Sequence, residues 1–424
     1  MKQLAIVGTG IAGLGCAHLL HKDYDLTIFE QNAYVGGHTN TIDATEDGKA
    51  IPIDTGFMVF NHETYPNLTR LFRELKVDTI PTDMSFSVQS RSRNIEWCGS
   101  SLNQIFGQRK NILSPRFWRL MLDLNRFNTQ AEEDVDNASL QSMSVAEYAK
   151  YRSFCEDLLN LYLVPMASAI WSMPPNATKN FPITVLLRFF HNHRFNSGLN
   201  GHLRWFTVKN GAREYVKKMI LPFSDRIILN APVNRVVRNS KSASVFTPHG
   251  EAEFDHVILA SHADESLKIL ERPTRLEIEL LREFSYQCND ATVHTDTSVM
   301  PKTKRCWAAW NYRFGEITDE DAPPTTHYWM NRLQGVSQKR NYFVSLNSDS
   351  IIDPAKIIKR IKYKHPSYTH DSIAAQARLQ ELNAQGDRQI LFCGSYFRYG
   401  FHEDAFTSAL TLCNQLKREV LQSC

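Results

Sequence analysis

Gly8, Gly10 and Gly13 stand at the spacing that a dinucleotide pyrophosphate requires. Glu30 follows Gly8 by 22 positions, where a carboxylate can accept hydrogen bonds from both hydroxyls of a ribose. Gly8 allows a tight turn, Gly10 lets the main chain approach a pyrophosphate, and Gly13 lets the next helix lie close to a sheet. Such a triplet alone fits any strand-to-helix turn, so its flanks decide the reading. The apolar run at 4–7 predicts a strand into the turn, the residues after Gly10 a helix, and 26–29 a second strand ending at the acid. The helix would offer its free N–H groups to the phosphates. These are the parts that hold an ADP moiety, and an acid at position 30 disfavours a 2′-phosphate.

Beyond Glu30 lies a second glycine pair, Gly36-Gly37, followed by His38-Thr39. A pair in this place is a feature of two-dinucleotide-fold flavoproteins and favours FAD over NAD. Further along stand Asp54-Thr55-Gly56-Phe57-Met58-Val59-Phe60-Asn61 and Tyr65-Pro66-Asn67-Leu68, then Trp205-Phe206-Thr207-Val208 with Tyr215-Val216. His294-Thr295-Asp296, Met300-Pro301, Trp307, Trp310-Asn311-Tyr312 and Tyr399-Gly400-Phe401-His402-Glu403-Asp404 complete the series. On these residues the chain resembles flavin-containing amine oxidases and phytoene desaturases. It is most similar to bacterial amine-oxidase-like NAD/FAD-binding proteins, a group that also resembles the N-terminal oxidase portion of plant cyclopropane fatty acid synthases. The resemblance covers nearly the whole sequence.

The resemblance implies an α/β fold: a Rossmann-like FAD-binding domain of the two-dinucleotide-binding-fold type with an interleaved α+β substrate domain. Cofactor-like elements recur in three places, giving a discontinuous FAD domain at 1–85, 205–272 and 385–424, and a substrate domain at 86–204 and 273–384. The first substrate stretch reads as mostly helical, and the second as a sheet roofing the flavin. Expected FAD contacts are Gly8, Gly10, Ile11, Ala12, Gly13, Glu30, Gln31, Gly37, His38 and Thr39 from the first segment. Thr55, Gly56, Phe57 and Met58 follow a short strand at 51–53, with Gly56 placed to pass close to the isoalloxazine ring. Val233, Ser261, Gly394 and Ser395 come from the later segments. Related flavoproteins often carry an aspartate where this chain has Ser395; a hydroxyl still donates there, without the charge. Phe401, His402 and Glu403 precede the last helix, expected over about 405–421, whose N–H groups would stabilise negative charge on a reduced ring; capping by the acids is the plainer reading.

For the substrate side the expected catalytic residues are His294, His402, Trp310 and Tyr399, with Trp171 beside them. A histidine or tryptophan on its own is more often a satisfied core residue, and only the resemblance singles these out. Amine oxidases of this superfamily commonly place a lysine near the flavin, and Lys302 is the nearest candidate here. Trp171, Phe189 and Phe190 either line a tunnel for an acyl chain or belong to the core.

Composition bounds the rest. The chain has 424 residues, with 48 basic and 45 acidic side chains, so the net charge leaves no footprint for nucleic acid. Eight cysteines without a CxxC pair argue against a structural zinc site, and no metal is expected. The N-terminus enters a strand after three residues without a secretory signal, and no apolar run approaches ~18 residues, so a cytoplasmic protein is expected. The stretch 106–127 interleaves Arg109, Lys110, Arg116, Arg119 and Arg126 with apolar and aromatic residues at helical spacing. Core packing is the commoner use of that pattern, and peripheral contact with an anionic membrane is the alternative. The leading expectation is an FAD-dependent oxidoreductase taking hydride from a carbon of a lipid-like substrate. The alternatives are amine or polyamine oxidation, and a flavin-binding partner of a lipid-modifying synthase that turns nothing over.

Overall fold

The computed structural model describes residues 1–194, 203–314, 324–384 and 389–422, the side chains of 419–422 excepted. The expected strand–turn–helix–strand is present as Gln3–Val7, Ile11–Leu20 and Asp25–Phe29. These two strands are the middle of a five-stranded sheet in the order Ile227–Ile228, Asp25–Phe29, Gln3–Val7, His256–Leu259, Ile390–Phe392. Every pairing in it is parallel. Both faces of such a sheet must be covered, and its strands are accordingly near-continuous apolar runs. The helix Ile11–Leu20 covers one face and packs against the closing helix His402–Gln422. A three-stranded antiparallel sheet, Arg235–Arg238, Ala243–Thr247 and Gly250–Phe254, contributes to the apolar cluster on the other side.

Residues from two distant parts of the chain form a seven-stranded sheet in the order Ile357–Ser367, Ser285–His294, Phe343–Leu346, Thr325–Trp329, Trp310–Arg313, Phe86–Ser90, Ile95–Cys98. Its pairs are antiparallel except for Trp310–Arg313 with Phe86–Ser90. A helical layer, including Pro115–Asp134, Val164–Trp171 and Ile183–Asn192, shares one apolar cluster with this sheet. The chain thus combines a parallel Rossmann-like α/β layer with an interleaved α+β part, the architecture expected from the sequence. Among the described residues no helix is long and apolar enough to cross a membrane.

One buried carboxylate ties the first sheet region to the second. Asp54, at the end of Lys49–Asp54, accepts from the Ala212 N–H at 2.9 Å, from Thr41 Oγ1 at 2.5 Å and from Gln334 Nε2 at 2.7 Å. Gln334 Oε1 in turn accepts the Asp54 N–H at 2.9 Å. These bonds fix the turn after Asp54, and with it the segment that enters the cavity described next.

Candidate active site

A cavity opens between the two layers, and widely separated stretches of chain supply its wall. Gly10, Ile11 and Ala12 meet there with Gly36, His38 and the 55–59 segment; Ser261, His262, Gly394 and Ser395 come from the ends of the parallel strands. This is the position outside the carboxyl ends of the strands where open α/β sheets bind ligands. Phe86, Trp310, Tyr328 and Leu346 come from the seven-stranded sheet, and Met166, Ile170, Trp171 and Phe189 from the helical layer. Tyr399, Gly400, Phe401 and His402 close the wall at the start of the last helix.

The glycines separate by what each must avoid. Gly8 has φ of +101°, a left-handed conformation that L side chains rarely adopt, and its N–H donates to Phe29 O at 2.8 Å. A Cβ on Gly13 would lie 2.0 Å from Gly8 O, so Gly13 is required by the protein's own packing. Gly10 is different: a Cβ there would meet no atom within 4 Å, although the residue lines the cavity. Protein packing gives no reason for glycine at position 10, whereas a group seated against the main chain does. The helix that follows has no side-chain cap, so its first N–H groups face that same space. A pyrophosphate fits this cradle.

Glu30 is buried, and its own neighbours satisfy it. Oε2 accepts from the Thr9 N–H at 3.0 Å and from the Thr9 hydroxyl; Oε1 accepts from the Asn32 N–H at 2.9 Å and Asn32 Nδ2 at 2.7 Å. The 230–233 loop carrying Val233 runs beside it, with Ala231 N–H donating to Glu30 O at 2.8 Å. Gln31 is exposed, and neither it nor Val233 reaches the cavity wall. Gly37 packs behind Gly10, where a Cβ would lie 3.1 Å from Gly10 Cα. Thr39 is buried one layer out, with Oγ1 2.6 Å from the Tyr215 hydroxyl.

Several sequence expectations need correction. His294 is fully buried in the seven-stranded sheet and does not reach the cavity. Its Nε2 is 2.7 Å from Ser345 Oγ, and its Nδ1 accepts the Asp296 N–H at 3.1 Å. Register is the cause: Trp310, Phe86 and Tyr328 are directly paired on the cavity face, so their neighbours Asn311, Ser87 and His327 turn to the other side. Ser345 pairs with His327 and belongs to that far side, where His294 joins it. Glu403 also turns away, accepting the N–H groups of Asn67 at 3.0 Å and Leu68 at 2.9 Å and so capping the helix Pro66–Glu74. Gly56 lines the wall, but its smallness serves the protein as well, since a Cβ would lie 2.2 Å from His38 O. Phe190 is core; Trp171 and Phe189 reach the wall. Lys302 does not reach it, its N–H donating to Glu96 Oε1 at 2.8 Å.

The lysine that does line the wall is Lys364, on the strand Ile357–Ser367, and its Nζ is paired with Glu265 at 2.8 Å. Beside it His38, His262 and His365 cluster, with His38 stacked on Tyr363 at 4.8 Å and 5.4 Å from His365 between ring centroids. His262 and His365 had no signal in the sequence, because only strand pairing brings them to His38. A second aromatic group joins Trp171, Phe189, His193, Trp205 and Phe401: Trp171 lies 5.2 Å from Phe189, and Phe189 5.3 Å from Phe401. Trp171 Nε1 donates to Tyr399 O at 3.2 Å, fixing the loop that carries Tyr399.

Burial keeps these imidazoles neutral. His402 stacks on Phe57 at 3.9 Å with its Nε2 2.6 Å from the Tyr215 hydroxyl, and burial pushes its pKa down to about 3. Burial likewise pushes His193, His294 and His365 down to about 4, with a further contribution at His365 from His262. An unfolded histidine titrates near ~6.5. As pH falls below that value the unfolded chain takes up protons that the fold refuses, and stability is lost until about pH 3–4. Asp54 and Asp404, raised to about 7 by burial, act in the opposite sense: their contribution is complete below ~3.9 and disappears as pH rises through 7. Four histidines outweigh two carboxylates between these limits. Stability is therefore expected to fall by more than about 1.4 kcal/mol per pH unit near pH ~5.5. Urea unfolding midpoints at about pH 7.5 and ~5.5 check this; equal midpoints would contradict it.

Comparison with known proteins agrees with this geometry. The family model described as flavin containing amine oxidoreductase matches residues 11–332. A Mycobacterium tuberculosis protein named "Putative flavin-containing monoamine oxidase AofH" is 25% identical over 281 residues, which are 61% of this chain and 56% of that protein. The chain thus spans little more than half the length of this curated relative. Among solved structures, cyclohexylamine oxidase from Brevibacterium oxydans IH-35A superposes with a TM-score of 0.69 at 14% identity, covering 98% of this chain and 99% of that one. The CLA-producing fatty acid isomerase from P. acnes gives 0.68 at 14% identity, covering 98% of each. Wild-type putrescine oxidase bound to putrescine gives 0.67 at 16% identity, covering 99% of each. At these identities the three structures establish a shared fold.

Proposed function

This chain belongs to the flavin containing amine oxidoreductase family, and on that premise we propose that it is an FAD-dependent oxidoreductase that removes hydride from one carbon of an apolar, lipid-like substrate and releases a proton from the neighbouring carbon to solvent, leaving a double bond. The Gly10 cradle and the uncapped helix Ile11–Leu20 would hold the pyrophosphate, and the wall from Thr55 to Met58 with Ser395, Phe401 and His402 would hold the rest of the FAD. Bound there, FAD supplies a two-electron acceptor. The chain's own residues orient substrate and exclude water: Trp171, Phe189, Trp310, Tyr328 and Tyr399 form an apolar wall with few polar atoms.

The observation that carries the lipid reading is the charge of that wall. Among the described residues it has no aspartate, glutamate or arginine, and its single charged side chain, Lys364, is already paired with Glu265. A diamine would bring a distal ammonium into this space without a carboxylate to meet it, at a high desolvation cost. A neutral acyl chain carries no such cost and gains from apolar burial. The resemblance to the oxidase portion of cyclopropane fatty acid synthases supports the same choice. Oxidation of a neutral monoamine is the second reading. The aromatic group around Trp171 and the monoamine oxidase name of the mycobacterial relative favour it.

The test is an anaerobic visible spectrum of the purified holoprotein before and after adding a membrane-lipid extract, with an amine and polyamine mixture in parallel. Bleaching of the flavin by lipid is the expected result. Bleaching by amines alone would replace this reading with amine oxidation. A flavin band unmoved by either would point to a binding role beside a lipid-modifying synthase.

A further inference from the structure

The stretch 106–127 does not simply face the core. Phe117, Leu120 and Phe127 are buried, but Leu113 is 87% exposed, Leu102 and Leu122 65% each, and Ile112 and Trp118 45% each. Trp118 and Leu122 are four residues apart on the helix Pro115–Asp134 and so share its outer face. Trp118 Nε1 donates to Ile112 O at 2.8 Å, so the polar atom of the indole is satisfied inside the protein while its apolar body stays partly outside. Phe106 packs under Trp118 at 5.0 Å between ring centroids and ties the preceding turn to the same face. An apolar cluster of this kind on a surface calls for something to cover it.

Charge says what covers it. From residue 91 to 122 there are six cationic side chains, of which Arg93 and Arg116 are paired with Asp157, and one acid, Glu96. Glu96 is buried and spent on the N–H groups of Lys302 and Thr303 at 2.8 and 2.9 Å. The turn Lys304–Cys306 adjoins the short helix Leu102–Ile105 and adds Lys304 and Arg305 to the rim. Among the described residues Arg119, Lys304 and Arg305 have no acidic partner. A second copy of the chain would bring this cationic rim against itself, whereas an anionic bilayer complements it.

We propose that the face formed by Leu102, Ile112, Leu113, Trp118 and Leu122, ringed by Arg119, Lys304 and Arg305, docks peripherally on an anionic membrane surface. The leucines and the indole enter the headgroup boundary, and the long cationic side chains reach lipid phosphates around them. The proposal goes beyond the assignment of a substrate and does not depend on it, since docking is read without turnover.

Co-sedimentation of the full-length holoprotein with vesicles tests it. Partitioning onto phosphatidylcholine vesicles containing phosphatidylglycerol is expected to exceed that onto pure phosphatidylcholine by at least about tenfold, and to weaken as salt is raised. The variant combining Leu102→Ser, Leu113→Ser and Leu122→Ser changes only exposed side chains. It should keep its flavin spectrum and lose about tenfold or more of the binding. Lys304→Glu with Arg305→Glu should remove much of the preference for the anionic vesicles. Equal binding to both vesicle types, or a leucine variant that sediments like the parent, would overturn the proposal. So would a parent that is dimeric without lipid and becomes monomeric in the leucine variant, because the face would then belong to a second copy.

Discussion

Gly10→Val is expected to give a folded protein that purifies without flavin. The backbone at Gly10 has φ of −62° and ψ of 172°, an extended conformation open to valine, and a Cβ there meets no protein atom within 4 Å. The substitution therefore adds methyl groups only to the cradle in front of the helix Ile11–Leu20. Overfilling a fitted site costs about 1–3 kcal/mol, one to two orders of magnitude in affinity. Here the added groups also hold the pyrophosphate away from the helix N–H groups, so the upper end applies. Absorbance at the flavin band against protein concentration, with the thermal midpoint of flavin-stripped parent and variant, reads both halves of the prediction. Gly13→Ala serves as the contrast: its Cβ would press against Gly8 O at 2.0 Å, so it should lower the stability of the flavin-free protein itself. Gly10→Val with a full complement of flavin would remove the cradle from the cofactor site.

His294→Ala is expected to unfold more easily, by about 2–4 kcal/mol, and to reduce its flavin at the parent's rate per bound flavin. The ring is buried with both nitrogens bonded, and it lies 5.4 Å from the Phe343 ring in a stacked arrangement. Ser345 Oγ sits 2.7 Å from both His294 Nε2 and His327 Nδ1. Truncation therefore strands part of a buried network as well as opening a cavity. Urea denaturation and single-turnover reduction separate the two quantities. A large drop in the reduction rate with unchanged stability would return His294 to the chemistry, and would mean that the sheet register does not isolate it from the cavity.

The contrast between these two residues shows where sequence reasoning reaches. Gly8, Gly10 and Gly13 could be assigned roles because a strand–turn–helix is built by residues close in sequence. The turn's φ angle and the closeness of helix to strand are local steric facts. The same holds for the apolar strands of the parallel sheet and for the last helix, which begins at His402 rather than near 405 because its acids cap earlier: Phe401 N–H donates to Asp404 Oδ2 at 3.0 Å. Trp310, Tyr399, Phe401 and His402 were legible only through resemblance, since nothing in their immediate neighbours distinguishes a cavity wall from a core.

The sequence by itself determined the strand–turn–helix–strand at its start and, with it, the parallel α/β layer. Tertiary structure alone decided that His294 faces away from the cavity, that Glu403 caps a neighbouring helix, and that Lys364 with His262 and His365 joins His38 on the wall. For His294 the physical reason is the two-residue period of a strand: which of two adjacent side chains meets the cavity depends on the pairing of Ser285–His294 and Thr325–Trp329 with their neighbours, and a shift of one residue would exchange the faces. That register is set by partners tens to hundreds of positions away, so it is not contained in any local run of residues.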